Sequence, residues 1–181
     1  MKNARYFSIS VAVLILDQLT KWAIVHSSVF ERPYDLVPGY LRFAYGENSG
    51  ALFGMFSGLE QPWRTVVLLI VPLAAIALVL FFMRVSGEKD RLALVGLALI
   101  LGGAVGNQLD RLLRHGRVVD FVDVSFDAEP VRGWLVRTFG SSHWPAFNVA
   151  DSAIVVGALL LAFDLLRQTR PRSGARARAR R

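Results

Sequence analysis

Residues 102–124 read GGAVGNQLDRLLRHGRVVDFVDV, and this stretch decides the fold. Its first four residues could lie in lipid, whereas the rest of it is densely polar. A helix that merely ends at a membrane surface needs one or two polar anchors. Ionisable residues in or beside a membrane segment are costly and usually mark a function or a buried pair. We therefore expect a polar site here, and its candidates are Asn107, Asp110, Arg111, Arg114, His115, Arg117, Asp120 and Asp123.

The composition indicates an integral membrane protein. Hydrophobic residues make up 54% of the 181-residue chain and charged residues only 19%, whereas about a quarter of the residues of a soluble domain are charged. The chain contains no cysteine, which excludes disulfides, thiolate nucleophiles and cysteine-ligated metals. We interpret residues 1–181 as a single integral-membrane domain that ends in a basic cytoplasmic tail at about 167–181.

Four segments are apolar and long enough for membrane helices, which need about 20 residues. They cover approximately residues 6–25, 65–83, 92–109 and 147–166. The first has Asp17 and Lys21 inside it and no small-x-small cleavage site after it, so we interpret it as a retained helix rather than a signal peptide. Between the first two helices, YLRFAY at 40–45 shows short strand-like alternation.

The basic residues next to these helices predict the orientation. Lys2 and Arg5 precede the first helix, and Arg84, Lys89 and Arg91 connect the second to the third. The basic tail after the fourth helix could bind nucleic acid, but in a membrane protein it is more simply an anchor for anionic lipid. Because an even number of spans puts all these basic segments on one side of the membrane, both termini are expected in the cytoplasm. Seven arginines follow the fourth helix: Arg167, Arg170, Arg172, Arg176, Arg178, Arg180 and Arg181.

This threading places polar residues of three helices at one depth, near the outer interface, as a site would require. Metal-dependent and serine-nucleophile chemistry are both disfavoured at that site, because the chain lacks the motifs typical of them. His26, His115 and His143 have no metal-ligand spacing, and no G-x-S-x-G motif occurs. The residues at this depth are Asp17 and Lys21 on the first helix, Asn107, Asp110 and Arg111 on the third, and Asp151 on the fourth.

Carboxylates remain as the strongest catalytic candidates. Two that lie close together tend to share one proton, and such a pair can activate water and protonate a leaving group. The alternative is that the aspartates only pair with Arg111, Arg114 or Arg117 at the interface. At the level of function, a small four-helix transporter or channel, or a structural membrane partner, would also be compatible with charges at one depth.

Five sequence blocks, in order, resemble a known family. They are DQLTK at 17–21, NSGALFG at 48–54, GNQLDR at 106–111, VVDF at 118–121 and FNVADS at 147–152. Together they are similar to bacterial lipoprotein signal peptidases, the type II signal peptidases, over about residues 6–166. The resemblance implies a mainly α membrane protein. Its four transmembrane helices would carry a small extracytoplasmic β-cradle and a short interfacial helix, for which residues 51–64 are suitable.

The resemblance also implies an activity. The protein would be an aspartic endopeptidase that needs no metal or cofactor and cuts diacylglyceryl-modified prolipoproteins on the N-terminal side of the lipidated cysteine. It would be a monomer of the bacterial inner membrane that contacts lipid but no nucleic acid, with its site near the periplasmic face. The implied catalytic residues are Asp120 and Asp151, and the implied supporting residues are Asn48, Gly50, Asn107, Arg111, Asn148, Asp17 and Lys21.

Two features depart from the family pattern. The connection at 122–146 is longer than usual and contains Trp134, Phe139 and Trp144, which suit a loop that dips into the membrane interface. Glu47 is also unusual directly before Asn48. Asp110 and Asp123 lie outside the catalytic pair that the resemblance implies.

Overall fold

The computed structural model describes residues 4–50, 60, 62–87 and 89–169. The described part of the chain begins with a short 3-10 turn and alternates helices with strands. Its helices are α1 (Phe7–Val25), α2 (Trp63–Val85), α3 (Arg91–Leu113), α4 (Glu129–Phe139) and α5 (Val149–Thr169). Its strands are β1 (Tyr34–Val37), β2 (Leu41–Asn48), β3 (Val118–Ser125) and β4 (His143–Phe147).

Helices α1, α2, α3 and α5 are long and apolar enough to cross a membrane, which confirms the four predicted spans. Large apolar side chains such as Leu19, Val71 and Leu159 are more than half exposed on their outer surfaces. Lipid would cover such side chains in a membrane protein. Two ends differ from the prediction. Helix α3 continues to Leu113, and Phe147 belongs to β4 because it pairs with Val122 of β3.

Small residues bring the bundle helices close together. A Cβ atom on Gly103 of α3 would lie only 2.3 Å from the Ala150 carbonyl oxygen of α5. On the opposite side of α3, the Ser10 hydroxyl of α1 donates to the Ala98 carbonyl oxygen at 2.8 Å. Close backbone approach is how helices associate where lipid removes the hydrophobic drive between them. Helix α3 is consequently the central helix of the bundle.

The four strands form one antiparallel sheet in the order β1-β2-β3-β4. Strand β2 confirms that YLRFAY contributes to a strand, although the burial along β2 does not alternate. The sheet confirms the expected small β-structure. Val119 and Phe121 of β3 are buried against Ile24 at the end of α1. This contact fastens the sheet to one end of the bundle. Asp120 alternates with these two residues along β3, so the same contact fixes its position.

The 122–146 segment, interpreted above as a long loop, is mostly regular structure. It completes β3, forms α4 and ends in β4. Pro130 lies in the first turn of α4, and Gly140 ends the helix in a left-handed conformation at φ 73°, so both boundary signals were present in the sequence. The Trp134 ring stacks on the Trp144 ring at 6.3 Å between centroids. Insertion of the 122–146 segment into the membrane interface stays a prediction.

Two predicted features lie largely or wholly outside the described residues. The interfacial helix suggested for residues 51–64 falls mostly on residues 51–59 and 61. Of the basic tail, residues 170–181 lie outside the described part, whereas Arg167 lies in the last turn of α5.

Candidate active site

Asp120 and Asp151 meet where the sheet joins the bundle, and Asn148 binds both. The Asn148 side-chain amide donates to Asp120 Oδ1 at 2.8 Å, and its backbone N–H donates to Asp151 Oδ2 at 3.2 Å. In return, the Asp151 backbone N–H donates to Asn148 Oδ1 at 3.0 Å. These reciprocal bonds form a capping box at the start of α5. The helix terminus therefore holds one carboxylate in place while the cap residue holds the other.

Asn107 of α3 holds Asp151 from the other side. Its Nδ2 donates to Asp151 Oδ1 at 2.8 Å. Its Oδ1 accepts from Lys21 Nζ at 3.0 Å and from Asn148 Nδ2 at 3.1 Å. Because two donors converge on Oδ1, the amide can point only its nitrogen at the carboxylate.

Lys21 lies at the centre of a buried charge cluster. Its ammonium contacts Asp17 Oδ2 at 2.9 Å and Asp110 Oδ2 at 3.1 Å, and all three side chains are at most 1% exposed. The predicted pairing of Asp17 with Lys21 is thus confirmed. Asp17 also accepts from the Ala150 backbone N–H at 3.1 Å. The cluster therefore joins the C-terminal half of α1 to the first turn of α5.

Asp110 has a connecting role that sequence reasoning missed. Its Oδ2 accepts the Val119 backbone N–H at 3.1 Å, beside the Lys21 contact. It thereby ties α3 to β3, next to Asp120. The available signal was its position three residues after Asn107, which places both side chains on one helix face.

Asn48 and Arg111 complete the predicted set of supporting residues. Asn48 Oδ1 accepts the Gly50 backbone N–H at 2.9 Å, so its Nδ2 faces Asp120 Oδ2 at 3.0 Å. Arg111 donates to the carbonyl oxygens of Gly50 at 3.3 Å and of Asn107 at 3.5 Å. The Arg111 guanidinium is also close enough to attract the carboxylates of Asp120 and Asp151. The structure thus brings all nine predicted site residues into one network.

The surroundings of Asp120 favour its protonated form. Burial, followed by the negative charge of Asp151, raises the pKa of Asp120 to about 7, although hydrogen bonds from Asn48 and Asn148 oppose the shift. Because the two carboxyls interact, they titrate as a pair. Such a pair can hold one shared proton near neutral pH, as acid–base chemistry on water requires.

Glu47, the unusual neighbour of Asn48, is accounted for by local contacts. It forms an ion pair with Arg117 and accepts the Tyr45 hydroxyl at 2.7 Å. Burial, and then that contact with Glu47, raise the pKa of Tyr45 to about 12. Glu47 therefore connects β2 to the start of β3 at the rim of the site.

A cleft of about 710 Å³ opens from the site between the sheet and α4. Asn48 and Asp120 lie on its wall together with a second polar cluster. In that cluster Asp123 accepts from Arg42 Nε at 2.6 Å and lies 2.8 Å from His143 Nδ1. Sequence reasoning considered His143 only as a metal ligand and did not find this cluster, because its members meet through sheet pairing.

Metal binding gains no support from the geometry. Within residues 4–50, 60, 62–87 and 89–169, no group of three or more His, Asp or Glu side chains could hold a metal ion. That no cofactor is needed stays a prediction.

The fold and the site define a multi-pass membrane protein with a carboxylate pair at one end of its helix bundle, in which Asp120 is buried and Asp151 half-buried. The model of the family described as Signal peptidase (SPase) II matches residues 9–167. The chain belongs to this family and is therefore a membrane peptidase.

Named relatives and solved structures agree with this assignment. The chain is 38% identical to the lipoprotein signal peptidase of Solibacter usitatus, over 94% of this chain and 96% of the relative. It is 41% identical to that of Geobacter metallireducens over the same shares. A bacterial membrane enzyme solved by the in meso method at 2.3 Å resolution superposes with a TM-score of 0.76 at 27% identity. The superposition covers 93% of this chain and 91% of that one.

Proposed function

We propose that this protein is an aspartic endopeptidase that removes the signal peptide from diacylglyceryl-modified prolipoproteins. The observation that carries the proposal is that Asn148 hydrogen-bonds both Asp120 and Asp151 at the end of the bundle. Membership of the signal peptidase II family supports the substrate class, as do the relatives named lipoprotein signal peptidase.

The two aspartates act on one water molecule. The ionised carboxylate accepts a proton from the water as the oxygen attacks the carbonyl carbon on the N-terminal side of the lipidated cysteine. The protonated carboxyl donates to the carbonyl oxygen, which carries the developing charge. The tetrahedral intermediate then collapses. The proton taken from water passes to the departing amine. The carboxylate that protonated the carbonyl oxygen takes that proton back as the C–N bond breaks, so the pair returns to its singly protonated state.

The three asparagines among the supporting residues hold this pair without adding charge beside it. Asn48, Asn107 and Asn148 are neutral donors, so they orient the carboxylate oxygens and leave the shared proton in place. Arg111 is a nearby positive charge that stabilises the anionic state of the pair. The Lys21 cluster keeps the end of α1 against α5, because its buried charges are satisfied only in that arrangement.

The site belongs at the extracytoplasmic face of the bacterial inner membrane. The basic flanks favour cytoplasmic termini, and an even number of crossings then puts the sheet and both aspartates on the outer side. A signal helix that emerges from lipid presents its cleavage position at that depth. The lipidated substrate would approach laterally from the bilayer, and a single copy of the chain carries the complete site, consistent with a monomer.

Hydrolysis of a lipidated prolipoprotein by purified protein tests the proposal. The full chain in detergent should release the signal peptide in the presence of EDTA, and mass spectrometry should show the lipidated cysteine as the new N-terminus. The same prolipoprotein without its diacylglyceryl group is the matched control and should stay largely uncut. Loss of cleavage on chelation and its return with zinc would contradict the carboxylate mechanism.

A further inference from the structure

The cluster formed by Arg42, Asp123 and His143 lies outside the proposed catalytic pair but shares its cleft. Asp123 is 11% exposed and has both oxygens occupied, one by each partner. Arg42 and His143 are 40% and 35% exposed in the same cleft. Arg42 and His143 are therefore accessible from the cleft, and the Asp123 carboxylate between them holds both in position.

The two exposed groups offer complementary hydrogen-bonding capacity. Among the described residues, Arg42 bonds only to Asp123 and only through Nε, so the four N–H groups of its Nη atoms are available as donors. His143 Nδ1 lies 2.8 Å from Asp123 Oδ1. In the neutral ring with its proton on Nδ1, Asp123 accepts that proton and Nε2 is left as an acceptor. A wall that offers both donors and an acceptor matches a peptide backbone, which carries both in every residue.

The position of the cluster indicates which part of a substrate would reach it. The cleft begins at Asn48 and Asp120 and is walled by β2, β3, β4 and the end of α4, none of which spans the membrane. The signal sequence before the cleavage position is apolar and stays with the lipid. The polypeptide after the lipidated cysteine would be on the aqueous side, and the cleft along the sheet is a path open to it.

We infer that Arg42 and His143, braced by Asp123, form a subsite for the main chain of the first residues after the lipidated cysteine. This inference rests on the proposed function and adds a binding region to the same site. Recognition of main-chain groups tolerates varied side chains, because every residue supplies the same carbonyl and N–H groups. The aromatic ring of Trp144 lines the same cleft and gives an apolar surface for those side chains.

Two substrates that differ only after the cysteine test the subsite. The short substrate is a diacylglyceryl-modified signal peptide that ends as an amide at the lipidated cysteine. The long one continues for about six residues, roughly 20 Å when extended, and also ends as an amide so that no terminal charge reaches Arg42. The measured quantity is the ratio of kcat/KM for the long substrate to that for the short one.

The wild-type ratio should be about ten, the size expected of one or two net hydrogen bonds. Arg42→Met should bring the ratio close to one, and His143→Leu should lower it in the same direction. Arg132→Met is the matched control, because Arg132 is exposed on α4, pairs with Glu129 and does not line the cleft; its ratio should equal that of wild type. If Arg42→Met does not fold, the His143→Leu ratio decides.

A merely structural role for Arg42 would lower cleavage of both substrates and leave the ratio unchanged, and that outcome overturns the subsite. A wild-type ratio near one overturns it as well, while the proposed function stands. No cleavage of either substrate by wild-type protein overturns the proposed function and the subsite with it.

Discussion

The Lys21 ammonium donates to the Asn107 side-chain oxygen at 3.0 Å, and this contact determines which end of the amide meets Asp151. With Oδ1 engaged, Nδ2 is the group 2.8 Å from the Asp151 carboxylate. A rotated amide would place its oxygen against a carboxylate oxygen and leave Lys21 facing an N–H group. A residue buried in α1 thus sets the hydrogen bonding of a carboxylate on α5.

Lys21→Met should destabilise the protein strongly. The change leaves Asp17 and Asp110 buried beside each other without their common cation, and breaking a buried ion pair costs about 3–5 kcal/mol. The measurement is unfolding in detergent followed by circular dichroism. Lys89→Met, at an exposed position between α2 and α3, is the matched control and should unfold as wild type does. Equal unfolding of the two variants would show that the cluster contributes nothing to stability.

Asp120→Asn and Asp151→Asn should each lower kcat for lipidated prolipoprotein by about 10²–10⁴-fold, because asparagine cannot exchange a proton with water. The double variant should be little worse than either single one, since residues that act as a unit are non-additive. Turnover at matched protein concentration checks this. Asp164→Asn, near the far end of α5, where Asp164 accepts from Gln168 at 2.7 Å, should keep wild-type turnover. Additive losses in the double variant would mean that the aspartates act independently.

The pH dependence of stability should reveal the protonation of Asp120. Its pKa is raised from 3.8 to about 7, first by burial and then by Asp151. The folded state therefore binds more protons than the unfolded state in this window, so the free energy of unfolding falls as pH rises from about 4 to about 7. Asp120→Asn removes this contribution. The Tm of the variant minus that of wild type should therefore increase as pH rises from about 4 to about 7. Parallel Tm curves for the two proteins would contradict the shifted pKa.

Gly103→Ala should destabilise the bundle by about 1–3 kcal/mol, the usual cost of overpacking. The added methyl would meet the Ala150 carbonyl oxygen at 2.3 Å, so α3 and α5 would have to separate near Asp151. Gly133→Ala is the control, since the nearest atom there is the flexible end of Arg137 at 3.4 Å. Alanine should be neutral or slightly stabilising at that helical position. Thermal unfolding of both variants distinguishes the two environments.

Reporter fusions test the orientation of the chain. A reporter that is active only outside the cytoplasm should be inactive after Arg181 and active when inserted after Asp127, between β3 and α4. The basic flanks of the helices predict this pattern. The reverse pattern would put the sheet and the aspartate pair on the cytoplasmic side.

The membrane helices could be predicted because hydropathy is a local property. A run of about 20 apolar residues is sufficient to define a span, so the four helices were located to within a few residues. The pairing of Asp17 with Lys21 followed equally from a spacing of four on one helix. Helix α4 was missed although Pro130 and Gly140 mark its ends, because the aromatic residues between them were interpreted as a membrane-surface signal.

The candidate site was likewise predictable from the sequence only in part. Sequence alone predicted one depth for Asp151, Asn107 and the pair of Asp17 and Lys21. The resemblance added Asp120 and separated the proposed catalytic aspartates from Asp110 and Asp123. Neither the sequence nor the resemblance showed that Asp110 joins α3 to β3, or that Arg42 lies opposite Asp123 in the sheet. Sheet register depends on which strands meet, and that depends on distant parts of the chain.

The sequence by itself therefore determined the number of spans, since each follows from the composition of one continuous segment. It also predicted their orientation and a common depth for the polar residues. Only the tertiary structure decided which oxygen faces which donor around Asn107 and Asn148. Hydrogen bonds require partners within a few tenths of an ångström of their ideal separation. That precision arises here from the close packing of α3 against α5 and from the anchoring of β3 on α1, which are properties of the assembled fold.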